Sequence, residues 1–258
     1  MRARSRIVVE WDGGRSVVRE LRSQPPLSLL PQRGTAASRS PIATVHMVGS
    51  ATTPLGGDDV ELEVVVGPGA DLVLTGVAAT LALPGQGAPT SRLVVRLRIG
   101  DGGGVQYLPE PTVITRRADH NAELHAELGA GARLRCREVL VAGRNAETSG
   151  RFRGHIRVVD AAAGKPLLVQ AQQLGDPTLH ESAAHLAGRR VLGTEVLVWG
   201  EDPSTGLAGP WWSLSPLAGR GSLAAAVGTD AVTTGRCLAQ AIAGHPGWMA
   251  TTLTTATR

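Results

Sequence analysis

At 258 residues the chain is long enough to bury one full core with appendages, or two small ones, so size excludes little. Its 26 basic residues against 22 acidic ones leave a net charge of +4, and since Lys165 is the sole lysine the basic set is almost entirely arginine. Aromatic residues make up only 3%, which argues against a nucleic-acid surface of basic groups interleaved with stacking rings and leaves the core to Val, Leu, Ile and Ala.

The N-terminal run MRARSRIVVEW is positive at first, but Glu10 interrupts its apolar stretch too early for a secretory signal. No segment approaches the roughly 20 apolar residues of a membrane span. Cys136 and Cys237 lie far apart with no second ligand at metal-like spacing, which reads as free thiols in a reducing compartment. The expected location is cytoplasmic, with no membrane and no nucleic-acid partner.

Strict alternation governs the first two thirds of the chain. Ile7, Val9 and Trp11 alternate with Arg6 and Glu10; Val60, Leu62, Val64 and Val66 alternate with Glu61 and Glu63; Leu93, Val95, Leu97 and Ile99 alternate with Arg92, Arg96 and Arg98. Period two is the mark of strands with one packed and one wet face. Three glycine signals follow such strands: GPGADL at 67–72, GDGGGV at 100–105 and GAGARL at 129–134. Their starts are 33 and then 29 residues apart, and each supplies the positive-φ positions of a tight turn before another apolar strand. The fold class expected is mainly β, with stacked sheets of β-helix or sandwich type and a few C-terminal helices; the repeats are compatible with either, and with ordinary hairpins.

The texture changes near residue 175. Residues 1–175 form the β-rich body, and 176–250 a mixed or helical C-terminal part packed on it. Within that part Asp176-Pro177 starts a helix in 176–190, GEDPSTGLAGP at 200–210 is a loop, and Ala-rich 222–243 holds one or two short helices capped at Ser222 and Asp230. The Thr-rich tail, 251–258, is expected to be disordered.

The usual catalytic signatures are missing. There is no P-loop, since the glycines of GDGGG lie between strands with no helix N-terminus behind them, and no nucleophile elbow. His180 and His185 are five apart, not the four that puts two imidazoles on one helix face; His120 and His125, also five apart, would face opposite sides of a strand. One carboxylate breaks the pattern. In ARLRCREVLVAGR, 132–144, the apolar face runs Ala132, Leu134, Cys136, then Glu138, then Leu140. An inward Glu138 needs a partner, a water-filled cavity or a metal ion; an ion pair with Arg144, or a bulge turning it outward, would serve instead.

The order of GGD at 56–58, GPGADLVLTGVAAT at 67–80, QYLPEPTVI at 106–114 and GAGARLRCREVLVAGR at 129–144 resembles the urease accessory proteins UreD/UreH, with Pro26-Leu27 ahead and an Ala-rich end behind. The matching structural positions are Gly57, Thr75, Thr80, Tyr107, Pro109, Pro111, Gly143 and Arg144. Two departures stand out: Val77 replaces the family's usual Gln, and Arg151, between Gly150 and Phe152, replaces its Glu. The arginine-rich composition fits a divergent member from a high-GC lineage.

The resemblance implies a β-helical, non-enzymatic scaffold that binds UreF, through it the GTPase UreG, and docks on apo-urease for nickel insertion. It implies transient Ni²⁺ and no tightly bound cofactor, with a polar path in which Glu138, and less directly Asp58 and Glu61, would take part. Asp58 also reads as a turn residue, and Tyr107, Pro109 and Pro111 as a stiff segment ending a strand. Two other functions stay open from the residues alone: a carboxylate-dependent hydrolase using Glu110 and Glu138, with Trp211 and Trp212 as platforms, and a plain ligand-binding β-helical protein.

Overall fold

A computed structural model describes residues 1–87 and 89–250; the tail at 251–258 lies outside the described residues. The chain begins with β1 (Arg2–Trp11), β2 (Ser16–Arg22), β3 (Leu27–Pro31), the short helix α1 (Thr35–Arg39) and β4 (Ala43–Gly49). Then come β5 (Asp59–Val66), β6 (Asp71–Gly76), β7 (Thr80–Ala82), β8 (Thr90–Ile99), β9 (Gly104–Leu108), β10 (Thr112–Ile114), β11 (Asp119–Leu128) and β12 (Arg133–Ala142). The last part holds β13 (Arg151–Asp160), β14 (Lys165–Leu174), α2 (Pro177–Glu181), β15 (Val191–Val198), β16 (Leu207–Gly209), β17 (Trp212–Pro216), β18 (Ser222–Gly228) and α3 (Ala231–Ala243).

The strands form two stacked sheets, ordered β14-β13-β11-β8-β5-β1-β2 and β16-β17-β18-β15-β12-β9-β6-β4-β3, with β7 and β10 off the second path. Each glycine signal is the crossing from the first sheet to the second. β5, β8 and β11 pair in parallel on one side, and β6, β9 and β12 in parallel on the other. This is a β-helical coil, and it settles the choice that the repeats left open. The crossings stack directly: Gly69 N–H donates to Asp101 O and Gly102 N–H to Ala130 O. A side chain at Gly100 would sit 2.8 Å from Pro68 N, so the spacing of the coil itself requires glycine there.

Parallel register carries side chains into rows. Leu62, Val95, Leu124 and Ile156 align on the first sheet, facing Val45, Leu74, Tyr107, Cys136 and Val196 on the second. These rows make up the main core. Trp11 departs from the expected inward row and is 43% exposed, because β1 outruns its parallel partner β5 beyond Val9.

Beyond residue 175 the chain is more sheet-like than its composition promised. Ser222–Gly228, expected as helix, is strand β18 between β15 and β17. Its small residues hid a period of two, with Ser222, Ala224, Ala226 and Gly228 buried in alternation, and sheet pairing overrides the helix propensity of alanine. Asp230 does cap α3, accepting from Thr233 N–H at 2.7 Å. The helix lies on this sheet through Leu238, Ala241 and Ile242. A side chain at Gly193 would meet Leu238 and Thr234 at 2.8 Å, so α3 approaches through a glycine. In 176–190 only Pro177–Glu181 is helical, with Asp176 accepting from Thr178 N–H.

Candidate functional site: a cavity between the sheets

β6 and β9 end at Gly76 and Leu108 and turn off toward β7 and β10, whereas β12 runs on to Ala142. The early ends leave the facing strands of the other sheet partly uncovered. Between them lies a cavity of about 420 Å³. Its floor is apolar, with Leu62, Val95, Leu124, Phe152 and Ile156, and Val77 and Leu81 stand exposed at its lip. Tyr107, Cys136, Glu138, His120 and Glu110 bring polar groups to its lining. At Gly76 a side chain would come within 2.7 Å of Glu110 N, so the chain leaves the sheet at the lip through a glycine.

Glu138 points inward, as alternation predicts. β12 pairs with β15 without a register shift, so no bulge turns it away, and Arg144 is taken by Glu147 at 2.9 Å. The carboxyl reaches across to the first sheet, where Oε2 lies 3.5 Å from the position a side chain at Gly154 would occupy. That oxygen is buried and finds no hydrogen-bond partner among the described residues. Burial pushes the Glu138 carboxyl up to about 7. It also raises the Tyr107 phenol and the Cys136 thiol well above their ordinary values, and the charge of Glu138 adds to both. His120, held by Ser91 Oγ at 2.9 Å and tilted against Phe152, is pushed by burial down to about 4. At these four groups burial therefore favours the neutral form.

The other expected path residues lie elsewhere. Asp58 is buried at the turn before β5, where its carboxylate accepts from the Met1 ammonium at 2.7 Å, Leu55 N–H at 2.9 Å and Thr53 Oγ1 at 3.1 Å. Burial opposes its charge, but these donors together hold its pKa below the usual range. Glu61 points to the outer face, because it alternates with the inward Val60 and Leu62, and pairs there with Arg96 at 3.0 Å and Arg4 at 3.3 Å. Of the three carboxylates only Glu138 lines the cavity.

The structural positions cluster around the corners of the coil. Gly57 turns at φ 94° with its N–H on Thr90 O. Thr75 pairs with Leu108 at the end of β6, and Thr80 N–H donates to Pro111 O, tying β7 to the Pro109–Pro111 corner. Gly143, at φ 73°, begins the loop in which Arg144 clasps Glu147. Of the departures, Val77 is exposed at the lip, and Arg151 is exposed and faces Asp119 at 3.8 Å while its neighbour Phe152 is buried.

His120 and His125 do face opposite sides of β11: His120 is buried, while His125 contacts Glu123 on the outer face. Both cysteines are free. Trp211 and Trp212 do not line the cavity. Among the described residues no three His, Cys, Asp or Glu side chains gather where they could hold a metal ion, and no helix is long and apolar enough to cross a membrane. The sequence reading did not single out Gln170 and Gln172, which β14 directs inward opposite Ile156 and Gly154. The same period-two count that singled out Glu138 would have found them.

Comparison with known proteins accords with the motif order. The family described as UreD urease accessory protein matches residues 1–257. Urease accessory protein UreD 1 of Saccharopolyspora erythraea is 53% identical over 95% of this chain and 96% of its own length. UreD proteins of a Parafrankia species and of Streptomyces coelicolor are 40% and 35% identical, covering 92% and 94% of this chain and 86% and 96% of their own. The chain belongs to the UreD family of urease accessory proteins.

Proposed function

We propose that the chain is a non-enzymatic scaffold for inserting nickel into apo-urease, acting in the cytoplasm in a complex with UreF and, through UreF, with the GTPase UreG. The cavity offers Ni²⁺ a route past Glu138. The observation that carries this reading is a lone carboxyl whose Oε2 is buried and without a hydrogen-bond partner among the described residues, reaching into a cavity in a protein of the urease accessory system. A single carboxylate attracts a cation without holding it tightly, which suits cargo in transit. Asp58 and Glu61 are engaged by other groups, so the proposed route runs by Glu138.

Deleting the gene and assaying urease with and without excess nickel tests the reading. Activity should fall and recover in part when nickel is abundant, and Glu138→Ala should reproduce the defect; unchanged urease would overturn it. Co-expression with UreF should recover both chains in one complex. The hydrolase reading has one observation in its favour, since Glu110 and Glu138 both line the cavity. Hydrolysis of a glycoside by the purified chain, lost in Glu110→Gln, would be needed to revive it.

A further inference from the structure

The two sheet orders end in four edge strands, and three of these are guarded in ordinary ways. β2 carries Arg19, Glu20 and Arg22, β3 is five residues long and ends in Pro31, and β16 has only three residues. Charge, proline and brevity all discourage a foreign strand from pairing. β14 is different: it is ten residues long, and after Lys165 and Pro166 it runs uncharged from Leu167 to Leu174. It pairs with β13 alone, and Val169 on it is 55% exposed.

The second sheet runs on beneath this edge. Gln172 of β14 donates to Thr194 of β15 across the layer, so β18 and β17, which follow β15, lie beyond the last strand of the first sheet. Leu223, Ala225 and Val227 of β18 face the same side as their partners Val196, Thr194 and Leu192, yet they are only partly buried, since no described strand of the first sheet covers them. On β17 the matching positions are Ser213 and Ser215, so the apolar ledge is one strand wide. Leu186, clustered with Leu174 and Val227, closes it at one end. At the other the β17–β18 loop comes up to β14, where a side chain at Gly219 would lie 3.2 Å from Leu167 Cδ2. Gln170 points inward along the same edge, its Oε1 buried and without a donor among the described residues.

We propose that β14 is a docking edge for one extended segment of another protein, which adds to the first sheet as a strand and alternates apolar with acidic residues. Its backbone pairs with β14, and its apolar side chains rest on Leu223, Ala225 and Val227. The acidic side chains follow from the outer face. There β13 sets Arg157 beside Val169 and Arg153 beside Gln173. Arg151 and Arg153 share Asp119, while Arg157 and Lys165 have no ion-pair partner among the described residues. An added strand would lie two spacings, about 10 Å, from β13, which an arginine and a glutamate side chain span together. The overhang also argues against a second copy: antiparallel two-fold pairing through β14 would drive each molecule's β18 and β17 into the other's second sheet. The proposal stands apart from the nickel route.

The test is fluorescence anisotropy of a labelled peptide, Ser-Val-Glu-Val-Glu-Val-Glu-Ser, with the full chain, followed by hydrogen-exchange mass spectrometry of the mixture. The peptide should bind and slow exchange along Leu167–Leu174 while leaving β2 unchanged. Val169→Glu, which sets a like charge beside the peptide's carboxylates, and Ala225→Glu, which puts a charge on the ledge, should each weaken binding by about tenfold. Arg157→Ala should weaken it by about threefold, less in high salt. Each variant is first checked for folding by circular dichroism and thermal melting. Should Ala225→Glu fail to fold, Val169→Glu and the exchange pattern decide. No binding at about 1 mM peptide, or protection elsewhere than β14, would overturn the proposal. So would equal binding of the Val/Lys counterpart, which would remove the acidic character of the partner. A concentration-dependent dimer in sedimentation, lost in Val169→Glu, would give the edge to a second copy and overturn it as well.

Discussion

The outer face of the seven-stranded sheet and the wall of the cavity are written in the same alternating code, yet they treat carboxylates in opposite ways. Outside, Glu61, Glu63, Asp119 and Glu123 each meet arginine, in ladders that cross neighbouring parallel strands. Inside, Glu138 meets none among the described residues. Between the extremes, Glu195 on β15 is 1% exposed but paired with Arg135, whose guanidinium lies 4.3 Å above the Trp248 ring. Burial and pairing are therefore separable in this fold. A charge that is buried and paired is structural, whereas a carboxyl that is buried and unpaired is available for another task.

The largest expected effect breaks the intermediate case. Glu195→Ala strands the Arg135 guanidinium, and loss of one partner from a buried pair costs about 3–5 kcal/mol. Chemical denaturation should show this as a marked fall in midpoint. A shift no larger than that of an exposed pair would mean that burial in this sheet carries no electrostatic weight, and the contrast with the outer face would vanish.

Two of the cavity's shifted groups, Glu138 and His120, give a pH test with opposite signs. Glu138 keeps its proton up to about 7 in the folded state, against an ordinary 4.5, so the folded chain binds the extra proton and stability falls as pH rises through that window. His120 is lowered to about 4 from 6.5, so the unfolded chain binds the extra proton and stability rises with pH between those values. In metal-free wild type the two slopes oppose each other where the windows overlap. Glu138→Gln should leave the rising slope and His120→Gln the falling one, each diverging from wild type by about 2 kcal/mol between pH 5 and 6.5. Parallel curves for all three proteins would show that neither group is sealed from solvent.

Gly154→Ala probes the same wall by volume. The new methyl would lie 2.8 Å from the Phe152 ring, which is 1% exposed and has little room to yield, and 3.5 Å from Glu138 Oε2. Overpacking of this kind costs about 1–3 kcal/mol. It should also reduce nickel-dependent urease activation more than its stability loss explains, as measured at a temperature where the variant is fully folded. Activation equal to wild type would separate the space over Glu138 from function.

Much of this contrast was legible in the sequence because strand alternation has no intermediate setting. Once Leu134 and Cys136 face in, so does Glu138 unless a bulge intervenes, and the three glycine crossings announce a coil that repeats. The same rule failed where side chains were too small to report a face: Ser222–Gly228 is alternating, but serine, alanine and glycine look alike from either side. Gln172 was passed over for a different reason. An uncharged amide on an inward position raises no alarm, and the bond from Gln172 to Thr194 shows only once β14 and β15 are placed in different sheets. Asp58 likewise read as a local turn residue, and its ammonium partner at Met1 is 57 positions away.

The smallest expected effect lies on the outer face and completes the comparison. Glu61 is 26% exposed in its side chain, and its partners Arg96 and Arg4 are 41% and 83% exposed, so water and salt screen both contacts. Glu61→Ala should cost less than about 1 kcal/mol, and less again in high salt. Because the carboxylate points away from the cavity, nickel-dependent urease activation should match wild type under conditions where Glu138→Ala is defective. A Glu61 variant as defective in activation as the Glu138 variant, at unchanged stability, would put cargo on the paired outer ladder, and the division between paired charge for structure and unpaired charge for function would not hold.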